Sequence, residues 1–380
     1  MQQELIQLAN RLISFKSISP NQAGAIDFIH QYLDNLGFTI TRLDRGKTSN
    51  LIARIGNQEP IFAYAGHVDV VPPGDIKQWQ FDPFTLTSHE GKLYGRGIAD
   101  MKGSIASFLV ALKQFLSNKN NKLPGSIMLL ITSDEEAAAT DGTIVMVDYL
   151  KQNNIIIDYC ILGEPTSLDV LGDVIKIGRR GSLSGYLEVI GKQGHVAYPD
   201  LCKNPIHLFA KALTELSSIT WDNGNDYFPA TSFQFTNLNS GLGVTNVIPD
   251  NLHASFNFRY NNLHTATQLQ NKVEELLKRH QLEYNVKWTE SAKPFCTKPG
   301  KLIEVVTHSI KQESNLTPQL KTDGGTSDGR FLIDVCTELL ELGLSNRHIH
   351  QINENIPEED LVRLCKIYLA ILEHIYTQSI

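Results

Sequence analysis

The chain has 380 residues, 42% hydrophobic and 20% charged, with 34 basic side chains against 41 acidic ones and a formal net charge of −7. That length exceeds what one core usually organises, so two domains are expected. The mild acidity has no long like-charge run, which speaks against a nucleic-acid partner, and no apolar run approaches the ~20 residues that cross a bilayer, so no membrane partner is expected.

The cysteines, Cys160, Cys202, Cys296, Cys336 and Cys365, are odd in number, far apart and without a C-x-x-C. They build neither a disulfide framework nor a zinc ribbon, and they suit a reducing, cytoplasmic setting. Met1-Gln2-Gln3-Glu4-Leu5 has neither the basic nor the apolar region of a secretory leader, so none is expected. Leu5, Leu8, Leu12 and Phe15 recur at helical spacing and predict an amphipathic helix over 2–15. A second helix over 22–36 is stopped by Gly37. Short strands follow at 38–43 and 50–55.

The run Ile61-Phe62-Ala63-Tyr64-Ala65-Gly66 reads as a buried strand ending on His67-Val68-Asp69. In α/β sheets chemistry collects outside the carboxyl ends of strands. A His-x-Asp there lets one imidazole nitrogen take a metal while the carboxylate orients the ring. The plain alternative is a polar strand end whose two side chains pair with each other. Residues 71–98 read as a long irregular stretch with Pro72-Pro73-Gly74, Trp79, Pro83 and the Gly91, Gly95, Gly97 series. Such stretches in compact domains are usually functional. A helix then runs from about Ser104 to Leu116, and Asp100 stands at its entry, where an N-cap would sit.

Residues 126–132 form another buried strand, followed by Ser133-Asp134-Glu135-Glu136. Adjoining acids at a buried strand end repel one another, and a cation would relieve that cost. After a helix over 141–151, a third apolar strand, 155–162, ends in Gly163-Glu164-Pro165. Near Ile177 the pattern changes. An alternating strand at 183–190, a Gly-rich loop with His195, a helix at 204–217, strands near 231–239 and 252–260 and a helix near 265–280 compose a second α/β unit. It reads as an insertion at 178–293 into a domain made of 1–177 and 294–380. With strands on one face and helices on the other, it makes a natural lid or dimer surface. The first domain resumes with a helix near 300–313, the Gly324-Gly325-Thr326-Ser327-Asp328 loop, a strand near 336–341 and a last helix near 358–376. The expected fold class is α/β: a central mixed sheet flanked by helices, plus a smaller inserted α/β sandwich.

His67, Asp100, Glu135, Glu136, Glu164 and His350 are the metal candidates. Imidazole and carboxylate without thiolate suit zinc, cobalt or manganese in an open catalytic site. Two ions ~3.5–4 Å apart, with one carboxylate bridging, can share a hydroxide and polarise a carbonyl together. One acid must stay free as general base, and the adjacent Glu135 and Glu136 offer that division. None of the spacings is a short metal motif such as H-E-x-x-H.

Gly66-His67-Val68-Asp69-Val70-Val71-Pro72, Gly95-Arg96-Gly97-x-x-Asp100-Met101-Lys102-Gly103, Asp134-Glu135-Glu136 and Gly163-Glu164-Pro165 together resemble the M20 family of dinuclear zinc aminoacylases and peptidases, over essentially the whole chain. The resemblance implies a zinc-peptidase-like catalytic domain holding two zinc ions, with cobalt or manganese able to substitute. Asp100 would bridge, His67 and Glu164 would hold one ion, and Glu136 and His350 the other. Glu135 would be the general base, activating a hydroxide shared by the ions, and Asp69 would orient His67. A cis peptide would join Asp100 and Met101. His195 would cross from the other subunit of a homodimer to stabilise the oxyanion; without the resemblance, it reads as a surface histidine. Ala137 departs from the pattern, which has glycine there. Of His348 and His350, which would face one side of a strand, the pattern selects His350. His89, His207, His253, His264, His280 and His308 read as surface or structural.

Residues 176–183, 191–199, 246–249, 324–331 and 349–354 narrow the resemblance to a bacterial biosynthetic branch of the family whose substrate is a small dicarboxylic N-acyl amino acid. Arginine forks bind carboxylates bidentately, and Arg179, Arg180, Arg259 and Arg330 stand in motif-like settings. The resemblance favours Arg179 and Arg259, with Ser182, Tyr198, Asn246, Gly325, Thr326 and Asn346 near the ligand. A surface salt bridge is the plain alternative for each arginine, and no residue is assigned to the substrate's distal amine. The nearest rival readings are an acetylornithine deacetylase, an aminoacylase or a dipeptidase of the same family. A metal-binding scaffold without chemistry is the remote one, and it should have lost Glu135 or a ligand.

Overall fold

The apolar runs become the inner strands of one large sheet. In the computed structural model, which describes residues 1–119 and 123–376, the chain lays down β1 (Thr39–Arg42), β2 (Asn50–Ile55), β3 (Ile61–His67), β4 (Ser126–Thr132), β5 (Ile157–Leu162) and β6 (Val174–Lys176). A second unit contributes β7 (Gly181–Ile190), β8 (Ser232–Ser240), β9 (Asn251–Tyr260) and β10 (Tyr284–Ala292). Then β11 (Gln319–Lys321) and β12 (Cys336–Glu341) return to the first unit.

The sheet of the first unit has the order β1-β2-β4-β3-β5-β12-β6-β11. β3 runs parallel to β4 and β5, and β5 parallel to β12. The β1–β2 and β2–β4 pairs are antiparallel, so the sheet is mixed with a parallel centre. Every residue of β3 and β4 is buried, as befits parallel strands covered on both faces. Helices Gly103–Asn118 and Glu358–Ile375 pack together on this core. Tyr64 of β3 stacks on Phe108 with ring centroids 4.1 Å apart and meets Tyr368 edge-on at 5.6 Å.

Register decides what gathers at the carboxyl edge. His67 lies opposite Thr132, and Ala65 opposite Leu162. Neighbouring strands are ~4.8 Å apart, so the residues after β4 and after β5 emerge beside His67. Part of 71–98 differs from its irregular reading. Thr87–His89 and Lys92–Tyr94 form a short hairpin, and its second strand pairs with Asn355–Pro357. Three-residue strands carry no readable periodicity, and this partner lies near the far end of the chain.

The compact units are Met1–Gly178 with Thr297–Lys321 and Ser327–Ile380, and Arg179–Cys296 with Thr322–Thr326. Residues 322–326, assigned from the sequence to the first domain, therefore pack with the second, where the Gly325 carbonyl accepts from Arg179 Nη1 at 3.1 Å. The second unit's sheet, β8-β9-β7-β10, is antiparallel throughout. Helices Pro205–Ser218 and Ala266–Arg279 share its core, with Phe209, Leu216, Val273 and Leu276 against Phe233, Phe256 and Phe258. A capping box opens the second of these helices: Thr265 Oγ1 accepts from Gln268 N, and Gln268 Oε1 accepts from Thr265 N. No helix among the described residues is long and apolar enough to cross a membrane.

Candidate metal centre

Strand ends and one sharp corner build this centre. β3 delivers His67, the turn after β4 delivers Glu135 and Glu136, and Glu164 follows β5. Asp100 is not the helix cap its position suggested. Its backbone is extended (φ −126, ψ 93), a cis peptide joins it to Met101, and the helix begins only at Gly103. Met101 tucks under the strand ends, and its Sδ accepts from His67 N at 3.4 Å. A Cβ on Gly66 would lie 2.5 Å from Met101 Cε, and one on Gly163 2.6 Å from it. Glycine before His67 and before Glu164 is what admits the Asp100–Met101 corner so close to both strands.

Asp100 turns one oxygen to each of two imidazole–carboxylate pairs. Its Oδ1 is 3.3 Å from His67 Nε2, which is 3.8 Å from Glu164 Oε1. Its Oδ2 is 3.3 Å from His350 Nε2, which is 3.0 Å from Glu136 Oε1. Donor atoms of His67, Asp100 and Glu136 fall within 4.8 Å of one another, as do those of His67, Glu135 and Glu164. His67 Nδ1 is 2.9 Å from the Asp69 carbonyl. A ring N–H donating there leaves Nε2 as a lone pair aimed at carboxylate oxygens.

That arrangement calls for a cation. His67 Nε2, Asp100 Oδ1 and Glu164 Oε1 are buried and make no hydrogen bond, which is costly for charged groups removed from water. Burial pushes the Glu135 carboxyl well above the usual range; His67 pulls it back, while Asp328, Glu136 and Asp100 add repulsion. Burial, then repulsion from Asp100 and Glu135, does the same to Glu164. Burial works against the Asp100 carboxylate too, but His350 and His67 beside it hold its pKa low. Asp100 and Glu136 push His350 up to about 10. These acids resist ionising together, and a divalent ion among them removes that penalty. The imidazole and carboxylate donors fit such an ion.

The Asp69 carboxylate faces both His67 and the turn after β4. It lies 3.6 Å from His67 Nδ1, farther than the Asp69 backbone carbonyl. The fully buried carboxylate also accepts from Glu135 N at 3.1 and 3.3 Å and from Glu136 N at 3.1 Å. It therefore fixes the turn from which those two side chains diverge. His350 stands in a turn with φ 60 rather than in a strand, so the same-face comparison with His348 does not apply. His264 and His280 pair with local acids, Asp222 at 3.2 Å and Glu215 at 2.7 Å.

Within the second unit, the expected ligand-side residues fall into small groups. Ser182 and Arg259 are register partners across β7 and β9, and Asn257 Nδ2 donates to Ser182 Oγ at 3.1 Å. Arg179 is buried and donates from Nη1 to the carbonyls of Gly325 and, at 3.4 Å, Asp323. Thr326 Oγ1 is buried without a hydrogen bond. His195 pairs with Val247 in a short ladder, and Val196 N donates to the Asn246 carbonyl at 3.1 Å. His195, Tyr198 and Asn246 are exposed on this loop cluster. Asn346, in the first unit, is half-buried and donates from its backbone to Ser167.

Two features escaped sequence reading. Asp328 is buried, accepts from Thr143 Oγ1 at 2.6 Å, and has its carboxyl pushed up to about 6, chiefly by burial. It stood in the Gly324–Asp328 loop with no role assigned to it. Arg96 and Glu354 form a buried ion pair at 2.7 Å. Both lay in quoted motifs, but nothing local says that two distant motifs touch.

Residues 63–374 match the model of peptidase family M20/M25/M40. The chain is 49% identical over 368 residues to the succinyl-diaminopimelate desuccinylase of Methylobacillus flagellatus, covering 97% of this chain and 98% of that one. The crystal structure of aminopeptidase PepT from Bacillus cereus superposes with a TM-score of 0.81 at 19% identity, covering 99% of each chain. The YXEP protein of Bacillus subtilis, a dinuclear metal-binding peptidase of the M20 family, does so with a TM-score of 0.72 at 15% identity, covering 100% of this chain and 99% of that one. Both share the fold.

Proposed function

This chain belongs to peptidase family M20/M25/M40, and we propose that it is the metal-dependent amide hydrolase that converts N-succinyl-L,L-2,6-diaminopimelate and water to succinate and L,L-2,6-diaminopimelate. The step belongs to diaminopimelate and lysine biosynthesis. The observation that carries this reading is the near-full-length likeness to a desuccinylase in a chain that keeps every residue of the metal constellation.

His67 and Glu164 would hold one ion, and His350 and Glu136 the other. Asp100 would bridge, an assignment supported by its two oxygens facing one pair each. Two zinc ions bound there, or cobalt or manganese, would supply Lewis acidity to polarise the amide carbonyl and acidify water. Glu135 takes the proton of the attacking water and returns it to the leaving amine. The Asp69 carboxylate keeps Glu135 in place by accepting from the Glu135 backbone N–H. Arg179 and Arg259 receive substrate carboxylates, with Ser182, Tyr198, Asn246, Gly325, Thr326 and Asn346 lining the ligand.

His195 donates to the developing oxyanion in the site of a partner subunit, which makes a homodimer the active form. The second unit is then both lid and dimerisation domain. Its exposed Leu201, Leu242 and Val244 supply apolar surface for a dimer to cover. The free cysteines and the biosynthetic substrate suit the cytoplasm.

The test is succinate release from N-succinyl-L,L-diaminopimelate by chelated protein as zinc is added back stepwise, beside N-acetylornithine. Activity that returns with zinc and prefers the succinyl substrate is expected. Activity on the acetyl substrate alone would keep the metal site and overturn the pocket assignment.

A further inference from the structure

We propose that Glu354 is the positioning residue for Asp100: its carboxylate gathers the backbone N–H groups of the corner that carries Asp100 and so sets where both Asp100 oxygens point. The proposal rests on the metal-centre reading above and deepens it. Glu354 is 1% exposed, and each of its oxygens takes two donors. Oε1 accepts from Ala99 N at 2.9 Å and Asp100 N at 3.3 Å. Oε2 accepts from Gly97 N at 3.0 Å and Arg96 Nη1 at 2.7 Å. Three of these donors are main-chain groups of the residues leading into Asp100, so a single anion organises them as a nest. Charge-assisted hydrogen bonds of this kind are about twice as strong as neutral ones.

The same stretch of chain also presents His350. Asn353 Oδ1 accepts from Gln80 N at 2.7 Å, the Glu354 carbonyl accepts from Gly95 N at 3.1 Å, and Asn355–Pro357 pairs with Lys92–Tyr94. His350 Nε2 reaches Asp100 Oδ2 at 3.3 Å while Glu354 Oε1 accepts from the Asp100 backbone N–H. One short segment therefore sets two metal-facing groups from distant parts of the sequence relative to each other. Arg96 steadies the carboxylate in turn: its backbone N–H donates to the Pro83 carbonyl at 2.8 Å, and its guanidinium lies 5.3 Å over the Trp79 ring.

The test is Glu354→Gln, which keeps shape but turns an NH2 group toward one of the two donor pairs. Zinc titration of the chelated protein is expected to show affinity lowered about 10–100-fold, the usual effect of removing an outer partner of a metal site. kcat is expected to fall with KM little changed, and Glu354→Asp to recover part of both. A purely structural role predicts a lower Tm for the metal-free protein with zinc affinity and kcat of the folded protein unchanged, and that result would overturn the proposal. Hydrogen exchange on the parent protein decides the matter if the variant does not fold. Gly97, Ala99 and Asp100 amides should stay protected after chelation; loss of protection there would show that metal, not Glu354, holds the corner. A parent that takes up no zinc overturns the metal reading itself, and the parent titration reads that outcome separately.

Discussion

Replacing Asp69 by alanine separates two accounts of this residue. The carboxylate is fully buried and accepts from the N–H groups of Glu135 and Glu136 at 3.1–3.3 Å. Alanine removes that acceptor, and each buried donor left unpaired costs about 1–3 kcal/mol. Two donors give about 2–6 kcal/mol, and the lower half applies because Glu135 and Glu136 are half-buried and water can partly replace the lost acceptor. Turnover suffers separately, since a displacement of ~1 Å at a reacting group costs ~10²-fold. Asp69→Asn keeps one carbonyl acceptor and should lose about half as much stability. The assays are urea unfolding of the metal-free variants and kcat under saturating zinc. Action only through the His67 ring predicts weaker metal binding, unchanged metal-free stability and full turnover once zinc is in excess. That outcome would refute the turn-holding role.

Glu135→Ala should lower kcat by at least ~10²–10⁴-fold, the range for a lost general base, while metal analysis still finds two ions per chain. Near-normal turnover with both ions present would remove Glu135 from the base role. His195→Ala should lower kcat more than it weakens substrate binding, read from steady-state kinetics beside calorimetric substrate titration; an effect on binding alone would count against oxyanion stabilisation. Gly163→Ala places a Cβ 2.0 Å from Tyr64 Oη and 2.7 Å from Tyr64 Cζ. Overpacking of that kind costs about 1–3 kcal/mol, so the urea midpoint should drop, and adding Tyr64→Phe should restore only part of it because the ring remains.

What could be read along the chain was local. The apolar runs that become β3, β4 and β5 announce buried strands, and the residues that close or follow them, His67, Glu135-Glu136 and Glu164, mark the functional edge because strand direction and chain order are local properties. Helical spacing likewise placed the first helix. Tertiary structure decided everything that depends on which backbone donor meets which acceptor. Asp100 resembled a helix cap, yet its backbone is extended and its N–H belongs to Glu354. Asp69 was expected to serve His67 through its carboxylate, which faces His67 Nδ1 at 3.6 Å, and the fold adds a second duty by directing that carboxylate to the N–H groups of the Glu135–Glu136 turn. The hairpin at 87–94 and the packing of 322–326 with the second unit depend on partners far along the chain. Residue types and their spacing record which groups can bind a metal or begin a strand. The pairing of buried N–H groups with acceptors from distant segments leaves no local periodicity, so only the folded chain reveals it.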